Sequence, residues 1–291
     1  LFPSFRDTVY CRYLDHVRRE TGEAFKSIVF PEYTVYCPVC KEAQYMSLSN
    51  TLNETIQHSV PIVSRTQKEP THFFSICLAP IYGPEPKWLA LAELIEHYKL
   101  QGATYFFVYV HYIDEYSRIL LDDYVRSGEA EAIILQDRFS RNDAEWQNVE
   151  ILDCLVRSRG HSRWAAFVDL DERLTMTGYQ GTLSDYLRHV TDPSIGSLQF
   201  RQRWILKNES LPAKYTGKKQ LTDWMPTRRY HNTSHVGPPG HTAKCIIDPK
   251  KVNVISLFVI YVFIMWIHYV EMFFNDKDRT YGMKPEEGVV R

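Results

Sequence analysis

The chain has 291 residues, 44% of them hydrophobic, enough to bury at least one full core in one large domain or two smaller ones. Its 34 Lys and Arg are offset by 35 Asp and Glu, for a formal charge of -1. That balance argues against a nucleic-acid partner, so affinity for any phosphate-bearing ligand has to be built locally.

In chain order, residues 1–70 differ from the rest. They hold Cys11, Cys37 and Cys40 and show no clean periodicity. Short β-like runs at 27–30 and 34–36 are broken by Pro31 and Pro38, and the polar stretch 64–70 reads as a linker. This predicts a small β-rich N-terminal accessory region over residues 1–70, ahead of a main domain over residues 71–291. With Cys77, Cys154 and Cys245 the cysteines number six, which permits three disulfides without fixing their pairing. Cys37-Pro-Val-Cys40 has zinc-knuckle spacing, but no second pair accompanies it. Three sequons, at Asn53, Asn208 and Asn232, are weak evidence for a lumenal setting.

From Thr71 the pattern becomes regular. An apolar strand at 73–78 is followed by a helix that Pro86 can open, with Trp88, Leu91, Ile95 and Tyr98 on one face and Gly102 closing it. A β-branched and aromatic strand spans 104–112. Ser117 can cap a second helix carrying Leu120, Leu121, Tyr124 and Val125, closed by Gly128. A third strand covers 132–135, and Asp143 can cap a helix carrying Trp146, Val149, Leu152 and Val156 up to Gly160. A fourth strand, 164–168, runs straight into Asp169. This β-α-β-α-β-α-β alternation predicts an α/β fold with a mainly parallel, Rossmann-type sheet and flanking helices. Ligands of such sheets bind beyond the carboxyl ends of the strands.

The sharpest chemical feature is Trp164-Ala-Ala-Phe-Val-Asp-Leu-Asp-Glu-Arg-Leu174. Strand residues two apart point to one face, so Asp169 and Asp171 can both meet the crevice while Leu170 turns inward. Two adjacent carboxylates repel unless a cation lies between them. A hard divalent ion held there can also bind the two phosphates of a nucleotide sugar and offset charge on the leaving diphosphate. Asp-x-Asp spacing alone more often marks a solvated turn; its place at the end of a buried fourth strand raises the metal reading to equal standing.

Four ordered segments resemble glycosyltransferase family 92: Ala79-Pro-Ile-Tyr-Gly-Pro-Glu-Pro-Lys-Trp-Leu89, Glu96-His-Tyr-Lys-Leu-Gln-Gly-Ala-Thr104, Phe167-Val-Asp-Leu-Asp-Glu-Arg173 and Lys244-Cys-Ile-Ile-Asp-Pro-Lys-Lys-Val252. The resemblance implies a GT-A fold, a UDP-sugar donor (UDP-galactose in characterised members), a glycan or glycoprotein acceptor, Mn2+ and inversion at the anomeric carbon. It also implies a Golgi type II setting, with a membrane anchor in the full-length protein. Asp169 and Asp171 match the metal motif. Ala79, Pro80 and Tyr82 match the loop that holds uridine, although they also read as a Pro-rich turn. Asp137 is a candidate nucleotide contact or a plain turn residue. Lys244 matches a family lysine that could pair with diphosphate, or is simply solvated. His268 resembles the family's late His and is the candidate third metal ligand; a core histidine is the competing reading. His231, His235 and His241 lie in a polar loop that could cover the donor. For the base that inversion requires, the candidates are Asp223, beside the possible sugar-stacking Trp224, and Glu209; both also read as ordinary loop acids.

The apolar run 254–267 departs from the family by an insertion of about ten residues. At fourteen residues it is short for a bilayer span of about 20 and reads as a buried strand or helix. Family members usually continue past Arg291, so the resemblance implies an incomplete C-terminal wall. These departures favour the rival reading of a non-catalytic, carbohydrate-binding relative. A nucleotidyltransferase ranks last, because residues 81–87 hold a single Gly where a Gly-rich loop is needed.

Overall fold

The computed structural model describes residues 6–30, 33–64, 67, 69–137, 141–260 and 263–291. The chain divides into two compact units, Leu1–Arg65 and Thr66–Arg291.

The first unit is an antiparallel sheet of β1 (Thr8–Leu14), β2 (Phe25–Ile28), β3 (Tyr45–Ser49) and β4 (Val60–Pro61), in the order β2-β1-β3-β4. A disulfide joins Cys11 to Cys37, while Cys40 is a free thiol. Cys37 is therefore committed to Cys11, which removes the zinc-knuckle option for the Cys37–Cys40 pair.

The second unit runs β5 (His72–Ile81), α1 (Trp88–Leu100), β6 (Tyr105–Val110), α2 (Glu115–Arg126), β7 (Ala130–Ile134), α3 (Asp143–Ser158), β8 (Ser162–Val168), β9 (Leu174–Met176), α4 (Leu183–Arg188), β10 (Ile195–Gln202), α5 (Lys218–Trp224), α6 (Pro226–Arg229), β11 (Lys244–Ile247), β12 (Val252–Ile260), β13 (Phe263–Phe273), β14 (Arg279–Gly282) and β15 (Gly288–Val290). Nine of these strands form one sheet, ordered β7-β6-β5-β8-β11-β10-β15-β9, with β14 on β10. β7, β6, β5 and β8 are mutually parallel, and β11 lies antiparallel between β8 and β10. The fold is thus mixed α/β around a mainly parallel sheet, as the alternation in the sequence predicts.

The apolar strands β5, β6 and β8 are buried because both faces are covered. One face packs Leu91, Leu94 and Ile95 of α1 with Leu121 of α2. The other packs Ile151 and Leu155 of α3 with Val252 and Ile255 of β12. A disulfide between Cys77 and Cys154 ties β5 to α3, and Cys245 is a buried free thiol. Two of the six cysteines thus stay unpaired.

Helix starts differ in detail from the sequence expectation. Asp114, not Ser117, caps α2, its carboxylate accepting from the Ser117 N–H. An acidic cap also meets the positive end of the helix. Ser117 sits one turn in, where its Oγ accepts from the Lys87 N–H at 2.9 Å. Asn142 caps α3 in a capping box with Glu145, so Asp143 is the first helical residue. Pro86 precedes the Lys87 cap of α1. Gly102 does close that helix: its φ of +89° is left-handed, and a Cβ there would stand 2.4 Å from Ser184 Cβ. Residues 254–260 and 263–267 of the apolar run lie on β12 and β13, which pair as antiparallel hairpin strands, as their β-branched and aromatic content favours.

Candidate active site

β8 ends at Val168, and the chain turns over Asp169, Leu170 and Asp171, with the Glu172 N–H donating to the Asp169 carbonyl at 3.0 Å. Asp169 and Asp171 both line a cavity of about 650 Å³ at the carboxyl end of the parallel strands. Ala79, Pro80 and Tyr82, at the end of β5 and just past it, form another part of its wall.

Below the rim the two aspartates are held differently. Asp169 Oδ2 accepts from Lys244 Nζ at 2.8 Å, and its Oδ1 from Gln147 Nε2 at 3.3 Å. Lys244 is 1% exposed and also pairs with Glu172 at 3.2 Å. Burial opposes the ammonium charge, but Asp169 and then Glu172 outweigh it and hold Lys244 above its ordinary pKa. Burial, then the Asp169 carboxylate, pushes Glu172 up to about 8 against the pull of Lys244. Glu150 of α3 lies close by, buried, with no hydrogen-bond partner for either oxygen among the described residues. Burial first and Asp169 second push its carboxyl well above the usual range. Asp171, by contrast, is 65% exposed and meets Lys207 Nζ at 3.2 Å.

The turn after Asp171 is pinned by α1. Glu93 pairs with Arg173, both buried. Arg173 also donates to the carbonyls of Leu170, Glu172 and Ala90. Tyr98 Oη accepts from the Leu174 N–H at 3.0 Å, and His97 Nε2 lies 3.1 Å from the Leu174 carbonyl. Burial holds His97 down to about 4, so it is neutral.

A long excursion, residues 203–243 between β10 and β11, supplies the remaining wall. In its first part, alternate residues Ile205, Lys207, Glu209 and Leu211 line the cavity while Leu206 faces solvent. Two pairs of anchors hold this strap. Trp204 and Ser234 exchange hydrogen bonds, and Trp88 Nε1 donates to the Pro212 carbonyl at 2.7 Å. Thr227 donates through its N–H and Oγ1 to Glu93, which ties the excursion to α1.

Not every residue proposed from sequence reaches this cavity. Glu209 lines it, its carboxylate held by Arg229 Nε at 2.6 Å. Asp223 is not among the lining residues; it pairs with Lys219 on the exposed α5. Trp224, proposed as a sugar platform, is covered by the Arg229 guanidinium at 4.1 Å. Asp137 is likewise outside the lining and pairs with Arg141 at 2.5 Å. Lys244 is buried behind Asp169 rather than open to a diphosphate, because two carboxylates draw it inward. His231 lines the cavity, whereas His235 and His241 do not. The His268 side chain lies outside the described residues; its backbone pairs with Leu257 in the hairpin.

Gln147, Glu93, His97, Glu172, Arg173 and Lys207 were assigned no role from the sequence. Glu172 and Arg173 directly follow Asp171, and a Glu and a His among the apolar positions of α1 were legible signals. Lys207 carried none.

Carboxylate oxygens suit a hard divalent ion, and the ammonium beside each aspartate shows that cationic charge is favoured there. The residues therefore fit such an ion, which Asp169 and Asp171 would hold. Among the described residues, the one cluster of three metal-type ligands is Cys77, Glu150 and Cys154. Its sulfurs are joined as a disulfide, so it is not a metal centre.

No curated protein matches the sequence. Among solved structures, S. aureus TarS 1-349 in complex with UDP aligns at 16% identity and a TM-score of 0.33, over 45% of this chain and 35% of that one. The mannosyltransferase PcManGT from Pyrobaculum calidifontis, in complex with GDP-Man and Mn2+, aligns at 14% identity and a TM-score of 0.30, over 47% of this chain and 38% of that one. HddC from Yersinia pseudotuberculosis aligns at 10% identity and a TM-score of 0.30, over 62% of this chain and 78% of that one. The chain therefore spans only about a third of the TarS structure's length. Residues 72–291, which carry the whole cavity, match glycosyltransferase family 92, and the chain belongs to that family.

Proposed function

We propose that the chain is an inverting glycosyltransferase that moves a hexose, with galactose the first candidate, from a UDP-sugar to a glycan or glycoprotein acceptor. The observation that carries this reading is that Asp169 and Asp171 open onto one cavity together with Ala79, Pro80 and Tyr82, at the end of the neighbouring parallel strand β5 and just past it. Asp169 and Asp171 would hold a divalent ion, with manganese the first choice, and when bound it offsets charge on the departing UDP. Tyr82 offers a half-exposed ring for the uracil. Lys244 fixes the Asp169 carboxylate from below. Glu209, which lines the cavity, is the proposed base for the proton of the acceptor hydroxyl. The hydroxyl oxygen then bonds to the anomeric carbon as the bond to the diphosphate breaks, and UDP leaves with the electron pair. A Golgi lumen, with an anchor upstream, is the proposed setting. The two disulfides support an oxidising compartment. Among the described residues no helix is long and apolar enough to cross a membrane.

The test is UDP release from a panel of UDP-sugars, with Mn2+ or with chelator, for the native chain and Asp171→Ala. We expect turnover only with Mn2+, and its loss in the variant. Full activity of Asp171→Ala would refute the assignment. Donor binding without turnover at any Mn2+ concentration would select a non-catalytic role.

A further inference from the structure

The cations around the cavity differ in how firmly they are held. Lys244 is locked between Asp169 and Glu172. Arg173 is buried against Glu93 and three carbonyls. Lys87 pairs with Glu85 at 2.5 Å. Lys207 is different: it sits on the strap, a third exposed, and its ammonium meets the mostly exposed Asp171. The strap is pinned at Trp204 and Pro212, so Lys207 lies mid-span between anchors. An exposed ion pair of this kind contributes little and exchanges partners readily.

Its position conflicts with the proposed chemistry. A divalent ion on Asp171 and an ammonium 3.2 Å from the same carboxylate compete for one negative charge. A bound donor brings a diphosphate to the same spot, and a lysine on a flexible stem is a compact donor for phosphate oxygens. We infer that Lys207 is a diphosphate-binding side chain that covers Asp171 when no donor is bound, and that it passes from the carboxylate to the donor's phosphates as the ion enters. This rests on the reading that Asp169 and Asp171 hold a divalent ion. It makes the strap the element that senses whether the donor is in place.

The two halves of the exchange have opposite signs, which a merely structural lysine would not produce. Mn2+ binding is measured by calorimetry without nucleotide, then UDP binding at saturating Mn2+, for the native chain, Lys207→Ala and Lys207→Arg. Lys207→Ala is expected to bind Mn2+ about two- to fivefold more tightly, since its competitor is gone. The same variant is expected to bind UDP at least about tenfold more weakly, through loss of a charged hydrogen bond. Lys207→Arg should restore most of the UDP affinity. Unchanged or weaker Mn2+ binding in Lys207→Ala, or unchanged UDP binding, overturns the inference while leaving the metal reading intact. A native chain that binds UDP but no Mn2+ sinks the metal reading itself, and the exchange with it.

Discussion

The cavity has two unlike walls. On the sheet side, Asp169 is backed by a fully buried lysine, a buried Glu172 and the α1 residues that clamp the turn. On the strap side, Asp171 meets Lys207, and Glu209 meets Arg229, through partly exposed pairs. The two aspartates are two residues apart, yet one is fixed and the other exchangeable. A carboxylate taken out of water has to bring its counter-charge with it, and the pair then sets the geometry. A carboxylate left at the rim can hold a loose partner and release it.

The largest effect that would sharpen this contrast is at Lys244. Lys244→Met leaves Asp169 and Glu172 without their buried counter-charge, a loss of about 3–5 kcal/mol by the usual cost of breaking a buried pair. Urea denaturation of the purified chain measures it, beside Lys207→Met, which should change stability by less than about 0.5 kcal/mol. Burial and the Asp169 carboxylate already disfavour charge on Glu172, so removing that charge as well, in the double variant Lys244→Met, Glu172→Gln, should recover part of the loss. Equal losses at the two lysines would erase the distinction between the walls.

A smaller effect is expected from His97, which burial holds at about 4 against an ordinary value of 6.5. The unfolded chain binds this proton first as pH falls, so the contribution of neutral His97 is complete above about pH 6.5 and is lost as pH drops towards 4. The largest possible loss is about 3 kcal/mol, from roughly 1.4 kcal/mol for each unit of depression. His97→Gln should flatten the denaturation midpoint between pH 6.5 and 4. A native midpoint that does not move across that window would show that the sheet-side wall tolerates charge, contrary to the contrast drawn here.

The sheet-side wall was the legible one. Asp169 and Asp171 announce themselves because a run of buried β-strand residues ends on them; the strand alternation expected there does not hold, since residues 169–171 form a turn and Leu170 lines the cavity with them. The four parallel strands and their helices were readable for the same reason, although β5 runs on through Ala79 and Pro80, which read as a loop, and a neighbouring acid rather than Ser117 caps α2. Lys244 was named but assigned the wrong neighbour, since nothing in Lys-Cys-Ile-Ile says that a lysine on an antiparallel strand is drawn under the sheet by two carboxylates. The strap was opaque. Its inward face, Ile205, Lys207, Glu209 and Leu211, mixes apolar, basic and acidic residues, so no hydrophobic period marks it. Asp223 and Glu209 looked alike in sequence, and only the fold separates them.

That separation yields the smallest expected change in stability. Both acids sit in partly exposed ion pairs, Glu209 with Arg229 and Asp223 with Lys219. Glu209→Gln and Asp223→Asn should therefore each alter unfolding free energy by less than about 1 kcal/mol. The rates are where they part. Glu209 lines the cavity, so if it is the proposed base, Glu209→Gln should lower kcat by about a hundredfold or more with the donor KM little changed. Asp223 points to Lys219 on an exposed helix, so Asp223→Asn should turn over at the native rate. The reverse outcome would move the proton acceptor off the strap's inward face, and with it the claim that the loosely held wall carries chemistry as well as donor contact.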